Sequence, residues 1–247
     1  MRFAFKTLLF TMLFFLLTHQ SCFADPIYDV NKPHVIINQI YGAGDGGYVT
    51  HSFIELFNPT SETVDISGWS LQYRSSKDDE NNSDQWQKYT FPENTVILSH
   101  TSLLIRCNPD SNTKDGNVYR LDLNGEDTYD LSWNQVIHTK GCAVVLRSSD
   151  DIIGADEEVF DNTLYVPAID HYVDLLAVSG NGFIDEAKPK QAINWYEGGA
   201  KDLQSKKYGI RRISFRDSDN NAEDAEAVDY KTADIDLIRP RCQKDGS

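Results

Sequence analysis

The chain has 247 residues, of which 38 are Asp or Glu and 23 are Lys or Arg, for a formal net charge of −15. An acidic surface of this kind repels nucleic acid and anionic lipid, so it excludes a phosphate-tracking groove and suits cations or basic partners. The length is enough for one large β domain or two small ones.

Residues 1–24 have the pattern of a secretory signal. Arg2 and Lys6 form a short basic region, and the apolar run at 8–17 is too short to be a membrane span. Cleavage after Ala24 leaves 21 basic and 38 acidic residues, a net charge of −17. We therefore predict an exported protein, which is secreted, periplasmic or held at the cell surface. A lipid anchor at Cys22 is the alternative, and no later apolar run is long enough to span a bilayer.

After a polar lead at residues 25–34, short apolar runs alternate with turn-forming clusters. Helical periodicity is weak and confined to 187–195 and 200–207, and a charged stretch at 77–84 interrupts the pattern. The chain therefore reads as all-β, and nothing marks an internal domain boundary. Strands are predicted at 34–41, 86–91, 96–98, 103–107, 119–123, 142–147, 172–178 and 211–215.

The stretch 53–73, FIELFNPTSETVDISGWSLQY, is the most specific part of the sequence. Its first five residues predict a strand buried on both faces, and Asn58-Pro59 predicts a turn. Gly68 stands where the backbone must bend before Trp69, which we expect to fill the core. Glu55 is unusual inside such a strand. It accepts hydrogen bonds from the backbone or pairs with an arginine such as Arg212, and the alternative is a half-exposed strand on which Glu55 is in contact with water.

These residues carry a resemblance to the lamin tail domain, in the form found in exported bacterial proteins. VIINQIYGAGDGG, FIELFNP and VDISGWSLQY resemble the start of that module. YEGG at 196–199 and RRISFRDSDNNAEDAEAVDY at 211–230 resemble its end. The resemblance spans residues 35–241 and leaves 242–247 as a tail.

The resemblance implies an immunoglobulin-like β-sandwich. This sequence departs from the family pattern by long loop insertions at 75–86 and 148–172. It implies no reaction, and no catalytic set can be carried over to this chain. The residues shared with the family are mostly structural.

The cysteines allow one disulfide in an exported protein. Cys107 and Cys142 both lie in strand-like runs, so a bridge between neighbouring strands is reasonable, and two buried thiols are the alternative. Cys242 is left in the polar tail. No CxxC pair is present, so a structural zinc site is not expected.

One acidic segment offers closely spaced oxygen ligands suited to calcium, namely Asp217, Asp219, Asn221 and Asp224. The EF-hand spacing fails, because Ala222 stands at the glycine position and Val228 at the glutamate position. The alternative is that these side chains cap their own turns and tie down a loop.

Three functions remain open. The leading hypothesis is an exported, non-enzymatic module that binds a protein or a component of the cell envelope through loops on a rigid sandwich, with no cofactor. The second is a calcium-stabilised extracellular domain. The third is a secreted hydrolase that uses carboxylates of the insertions, namely Asp150, Asp151, Asp156, Glu157 and Glu158.

Overall fold

The computed structural model describes residues 33–42, 47–75, 85–108, 121–139, 141–180 and 195–246. The predicted signal with Cys22, the glycine loop at 43–46 and the charged stretch at 77–84 lie outside the described residues. Within those residues, no helix is both long and apolar enough to cross a membrane.

The described chain is mostly strands, as the sequence predicts, and its helices are single turns. The helices are α1 (Asn221–Asp224), α2 (Ile235–Ile238) and three 3-10 turns at Glu126–Thr128, Ile213–Phe215 and Gln243–Asp245. The strands are β1 (Ile36–Tyr41), β2 (Phe53–Phe57), β3 (Val64–Asp65), β4 (Ser70–Ser75), β5 (Gln87–Thr90), β6 (Val96–Ile97), β7 (Ser102–Arg106), β8 (Leu131–Ser132), β9 (Gly141–Arg147), β10 (Phe160–Asp161), β11 (Val166–Pro167), β12 (Tyr172–Gly180), β13 (Lys201–Gln204), β14 (Tyr208–Arg212) and β15 (Ala225–Asp229).

Two larger sheets form the sandwich. The first sheet has the order β15-β14-β1-β2-β7-β8, and the second has the order β13-β12-β9-β4-β5. Neighbours are antiparallel except for β7 with β8 and β12 with β13. Strands β12 to β15 complete one end of both sheets, so residues from the two halves of the chain build the same pair of sheets.

The core lies between the two sheets and follows the two-residue period of a strand. On β9, Cys142, Val144 and Leu146 point into this core, whereas Ala143 and Val145 point to the outer face. Every side chain of β9 is buried. The outer face of the second sheet must therefore be covered as well.

The insertion at 148–172 provides that cover. Its apolar side chains Ile153, Val159, Phe160 and Ile169 pack in one cluster with Val145 and other outer-face residues of the second sheet. The insertion was expected to be a loop, but much of it is a packed layer.

The end of the chain covers the first sheet in the same way. Tyr230, Ile238 and Cys242 pack in one cluster with Tyr41 and Phe53 of β1 and β2. The prediction that Cys242 lies in a polar tail is wrong, since this side chain is 2% exposed.

The stretch 53–73 forms the predicted strand, turn and strand. All five residues of β2 are buried. The Asn58 amide donates to the carbonyl oxygens of Glu62 and Ile97 at 2.8 and 3.0 Å, which fixes the turn. Gly68 has a φ of +74°, a backbone conformation that favours glycine. Trp69 only packs against the core from a half-buried position, because the turn places it one residue before β4.

Two other local expectations are corrected. The predicted strand at 211–215 ends at Arg212, and Ile213–Phe215 turns away as a 3-10 helix with Ser214 and Phe215 at positive φ. The weak helical pattern at 200–207 instead contains β13, which pairs with β12.

Cys107 and Cys142 are both buried, but they do not lie on neighbouring strands. Cys107 follows β7 of the first sheet, Cys142 lies on β9 of the second, and both belong to the core between the sheets. Among the described residues no disulfide joins them. The structure thus differs from the predicted bridge, and its formation under oxidising conditions stays a prediction.

Candidate functional site

The segment predicted to bind calcium follows β14, and two of its four residues are committed to holding the fold. The Asp224 carboxylate accepts from the backbone N–H of Ser218 at 2.6 Å, the Ser218 hydroxyl at 2.7 Å and the backbone N–H of Asn220 at 3.3 Å. Asp224 is fully buried. It therefore caps its own turn, which is the structural alternative to ligation.

Asn221 is the second of these residues. Its amide oxygen accepts from the backbone N–H of Ala177 at 2.9 Å, and its amide nitrogen donates to the Leu175 carbonyl at 2.8 Å and to Glu197 Oε2 at 2.9 Å. The Asn221 side chain thus holds its loop on β12 by bonding backbone N–H and C=O groups of that strand, as the backbone of a neighbouring strand would do.

Arg212, at the end of β14, is the centre of this region and is 1% exposed. Its guanidinium donates to Asp174 Oδ1 at 2.6 Å and to Asp217 Oδ1 at 3.0 Å. It also donates to the carbonyl oxygens of Ile37 and Arg216, both at 3.1 Å. The planar guanidinium of arginine suits this arrangement, because its N–H groups point in several directions and acceptors lie in each of them.

Four carboxylates surround this one guanidinium, and we call the group the Arg212 network. Its members are Arg212, Asp174, Glu197, Asp217 and Asp224, whose carboxylates approach Arg212 to 2.6, 4.0, 3.0 and 3.6 Å respectively.

The carboxylates of the Arg212 network differ in their pKa values. Burial, together with the charge of Asp174, raises the pKa of Glu197 well above its usual range. Burial also raises the pKa of Asp174 to about 6. For Asp217, burial acts in the same direction, but the hydrogen bond from His34 and the charge of Arg212 outweigh it and lower the pKa. His34 Nε2 lies 3.1 Å from Asp217 Oδ2.

Of the predicted calcium ligands, only Asp217 and Asp219 fall in one cluster that could hold an ion. Their oxygens and one from Glu197 lie within 4.8 Å of one another, and His34, Asp174 and Asp217 form a second such group. The Arg212 charge is already at this position. The geometry favours the structural role, and calcium binding stays the untested alternative.

A melting experiment separates the two roles of this segment. We expect the same midpoint in 2 mM calcium and in excess chelator, since Asp224 and Asn221 are engaged within the protein and Arg212 supplies the positive charge. The Asp219→Asn variant is the matched control, because it removes one charge from the cluster. A midpoint that rises with calcium in the native chain, but not in Asp219→Asn, would establish the calcium site.

A second feature is a pocket of about 300 Å3 on the outer face of the first sheet. We call it the arginine pocket, and it is lined by Asn38, Glu55, Arg211, Arg212, Ser214, Phe215, Leu237, Arg239 and Arg241.

Glu55 lies at the wall of the arginine pocket and is 2% exposed. The expectations of a half-exposed strand and of a pair with Arg212 are wrong, whereas the expected acceptance of a hydrogen bond from the backbone is confirmed at Arg241. Its carboxyl accepts from the Ser102 hydroxyl at 2.6 Å and the Asn38 amide at 3.0 Å. Burial raises the pKa of Glu55 to about 7 against the lowering effect of these hydrogen bonds and of one from the Arg241 backbone.

A third feature lies on the insertion over the second sheet. A pocket of about 430 Å3, the insertion pocket, is lined by Arg74, Ala155, Asp156, Glu157, Glu158, Asn162, Trp195 and Tyr196. Three of the five carboxylates considered for a hydrolase are among these residues. All five are exposed on the surface.

The turn between β10 and β11 borders the insertion pocket. The exposed apolar side chains of this turn and of the first residue of β11, the hairpin tip, are Leu164, Tyr165 and Val166, at 70, 59 and 44% exposure. Asn162 joins the tip to the pocket wall, since its amide donates to the Tyr196 carbonyl at 2.7 Å and accepts from the Gly198 N–H at 2.7 Å.

Asp174 and Glu197 are functional or structural residues that the sequence reading missed. Asp174 was visible as the one charge in the apolar run YVDLLAV, and Glu197 as the acid of YEGG. Lone charges in buried runs require partners, which is the signal that could have identified them.

Part of the chain is similar to a described protein family. A family model described as Lamin Tail Domain matches residues 30–162. Among solved structures, one similar chain is a DUF4876 family protein from Bacteroides thetaiotaomicron, with 17% identity and a TM-score of 0.42 over 78% of this chain and 70% of that one. No curated protein matches the chain.

Proposed function

This chain belongs to the lamin tail domain family, whose model matches more than half of it, and we propose on that basis that it is an exported binding module. Domains of this family are immunoglobulin-like sandwiches and are in general non-enzymatic. We assign the binding surface to the insertion pocket and the hairpin tip, and the partner to a protein or envelope component with basic and apolar groups.

The observation that carries this proposal is the hairpin tip beside a pocket with three carboxylates. Exposed apolar groups rimmed by polar ones are a mark of interaction surfaces. Leu164 and Tyr165 stand out from the surface, whereas the apolar residues behind them, Val159 and Phe160, are fully buried. The scaffold under the tip is thus packed, and the tip itself is free to contact a partner.

Charge decides which partner fits this surface. Asp156, Glu157 and Glu158 line the insertion pocket, and the whole chain carries a net charge of −15. Arg74 also lines this pocket, and its guanidinium lies 3.9 Å from the centre of the Trp195 ring. The pocket therefore already holds one cation against an aromatic ring, and it offers acids for further lysine or arginine side chains.

A peptide of alternating lysine and leucine is a suitable probe, with binding followed by fluorescence anisotropy. We expect the double variant Leu164→Ser/Tyr165→Ser to bind at least about tenfold more weakly, since burying one such side chain is worth about 1.5–3 kcal/mol. Asp156→Asn/Glu158→Gln should also weaken binding, chiefly at low salt.

Glu62→Gln/Glu93→Gln is the matched control, because it removes the same charge from exposed positions elsewhere. If all three double variants bind the peptide equally, the peptide is attracted by the net charge of the protein and not by this surface, and the surface is wrongly assigned. The hydrolase alternative places its carboxylates in the same pocket. Turnover of a nucleic acid, phosphate ester or glycan by the clean protein would replace the binding proposal with that alternative.

A further inference from the structure

We infer that the arginine pocket is a second binding site, separate from the insertion pocket, and that it takes a hydroxylated carboxylate with the chemistry of a sugar acid. It lies on the first sheet, on the opposite side of the sandwich from the insertion. It is built by residues of three strands and of the C-terminal segment that covers them.

Guanidinium groups supply the recognition of an anion. Arg211, Arg239 and Arg241 all line the pocket. Arg241 is exposed and donates to the Asp236 carbonyl at 2.8 Å, and within the described residues no carboxylate forms an ion pair with it. Guanidinium donors match a carboxylate or phosphate in bidentate geometry.

The other two arginines are held in place by internal acids and retain unused donors. Arg211 donates to Glu226 at 2.9 Å, and Arg239 donates to both oxygens of Asp245 at 2.6 and 3.2 Å. A guanidinium has five N–H donors, so these bonds fix the direction of each group without exhausting it. Side chains held in this way are preorganised for a ligand.

The wall of the pocket presents acceptors, which favours a ligand with hydroxyl groups over a simple anion. Asn38 is 3% exposed, and its Oδ1 has no hydrogen-bond partner among the described residues. A buried acceptor of this kind costs free energy until a donor reaches it. The neighbouring Glu55 carboxyl and Ser214 hydroxyl extend the same polar wall.

An aromatic ring and strained backbone complete the site. Phe215 stacks on Phe57 with the ring centroids 3.8 Å apart and still leaves 46% of its surface exposed. Ser214 and Phe215 have φ values of +51° and +59°, which are rare for residues other than glycine. Backbone strain of this kind gathers at binding sites, and an exposed ring can pack against the C–H face of a sugar.

The net charge of −15 does not oppose an anion here. Salt screens exposed charges beyond about 8 Å at physiological ionic strength, so the local arginines determine the potential at the pocket.

Calorimetric titration with D-galacturonate tests the proposal directly. We expect measurable binding of galacturonate. D-galactose lacks the carboxylate, and acetate and inorganic phosphate lack the sugar hydroxyl groups, so each should bind at least tenfold more weakly. Titration with tri-galacturonate shows whether the ligand is part of a polysaccharide or a free sugar acid. The trimer binds more tightly than the monomer if the site takes a polysaccharide and no more tightly if it takes the free acid.

Two variants locate the binding. Arg241→Gln should weaken galacturonate binding at least tenfold, whereas Lys231→Gln, which removes an exposed cation outside the pocket, should leave it unchanged. Both positions are exposed, so both variants should fold, and their melting midpoints confirm this. Equal binding by both variants, or equal binding of acetate and galacturonate, would overturn the inference. Neither result bears on the insertion pocket, whose test uses a different probe and different variants.

Discussion

Replacing Arg212 with methionine is expected to lower the free energy of unfolding by about 3–5 kcal/mol, which is close to the whole stability of many domains. Methionine fits the volume but leaves the carboxylates of Asp174, Asp217 and Asp224 buried without their shared cation. The cost arises from the lost compensation of these buried charges more than from the lost contacts.

Arg211→Met is the matched control for this experiment. Arg211 is the preceding residue on the same strand, but it faces outward and pairs with the part-exposed Glu226. Such a pair is worth about 0–1 kcal/mol. Arg212→Lys should also be strongly destabilising, because the single ammonium group of lysine cannot reach all the acceptors to which the Arg212 guanidinium donates. Urea unfolding of the three variants gives the comparison, and equal losses for Arg211→Met and Arg212→Met would refute the central role of the network.

Glu55→Gln is expected to stabilise the protein at pH 8 by up to about 3 kcal/mol and to have little effect near pH 4.5. The folded pKa of Glu55 is about 7 and its ordinary value is 4.5. Between these values the folded protein binds the proton and the unfolded chain does not. The contribution of Glu55 to stability is therefore fully present below pH 4.5 and is lost as the pH rises through about 7.

The difference in stability between Glu55→Gln and the native chain should thus grow from pH 4.5 to pH 8 and then stay constant. Using the difference cancels the other titrating groups, including Asp174. Glutamine keeps an oxygen to accept from Ser102, and its amide can donate to Asn38 Oδ1. Urea unfolding at four pH values measures the effect. A difference that is the same at every pH would mean that Glu55 titrates as it does in the unfolded chain.

The fold could be predicted from the sequence wherever its signals are local. The alternation in 53–57, the turn at Asn58 and the bend at Gly68 each depend on residues that are close in the chain, and the structure has all three. The strands at 142–147 and 172–178 were predicted for the same reason. The family resemblance supplied the arrangement of the sheets, which periodicity alone does not give.

The Arg212 network could not be predicted, because its partners are distant in sequence. Arg212 and Asp174 are joined only once β14 and β12 are placed in facing sheets. The sequence analysis considered Glu55 as a partner of Arg212, because Glu55 is a charge inside a strand that was expected to be buried. Likewise, Asp217 and Asp224 were predicted as ligands because they are close in sequence, but closeness in sequence does not show which cation they face.

The burial of Trp69 and Cys242 was wrongly predicted for a simpler reason. The burial of a residue depends on which other parts of the chain cover it. Neither the turn before β4 nor the packing of the C-terminal segment over Phe53 can be predicted from the residues next to Trp69 or Cys242 in sequence. The arginine pocket was missed in the same way, since Arg211, Arg239 and Arg241 come together only when that segment lies across the first sheet.

The interleaving of both halves of the chain in the two sheets affects how the protein can be divided. A fragment cut to the matched residues 30–162 would contain β1 to β10 but would lack β14 beside β1 and β12 beside β9. Both of these central strands would then become open edges with unpaired backbone groups, which are templates for aggregation. The stretch that identifies the family is therefore not a unit that can be expressed alone, and a workable expression boundary lies beyond Cys242.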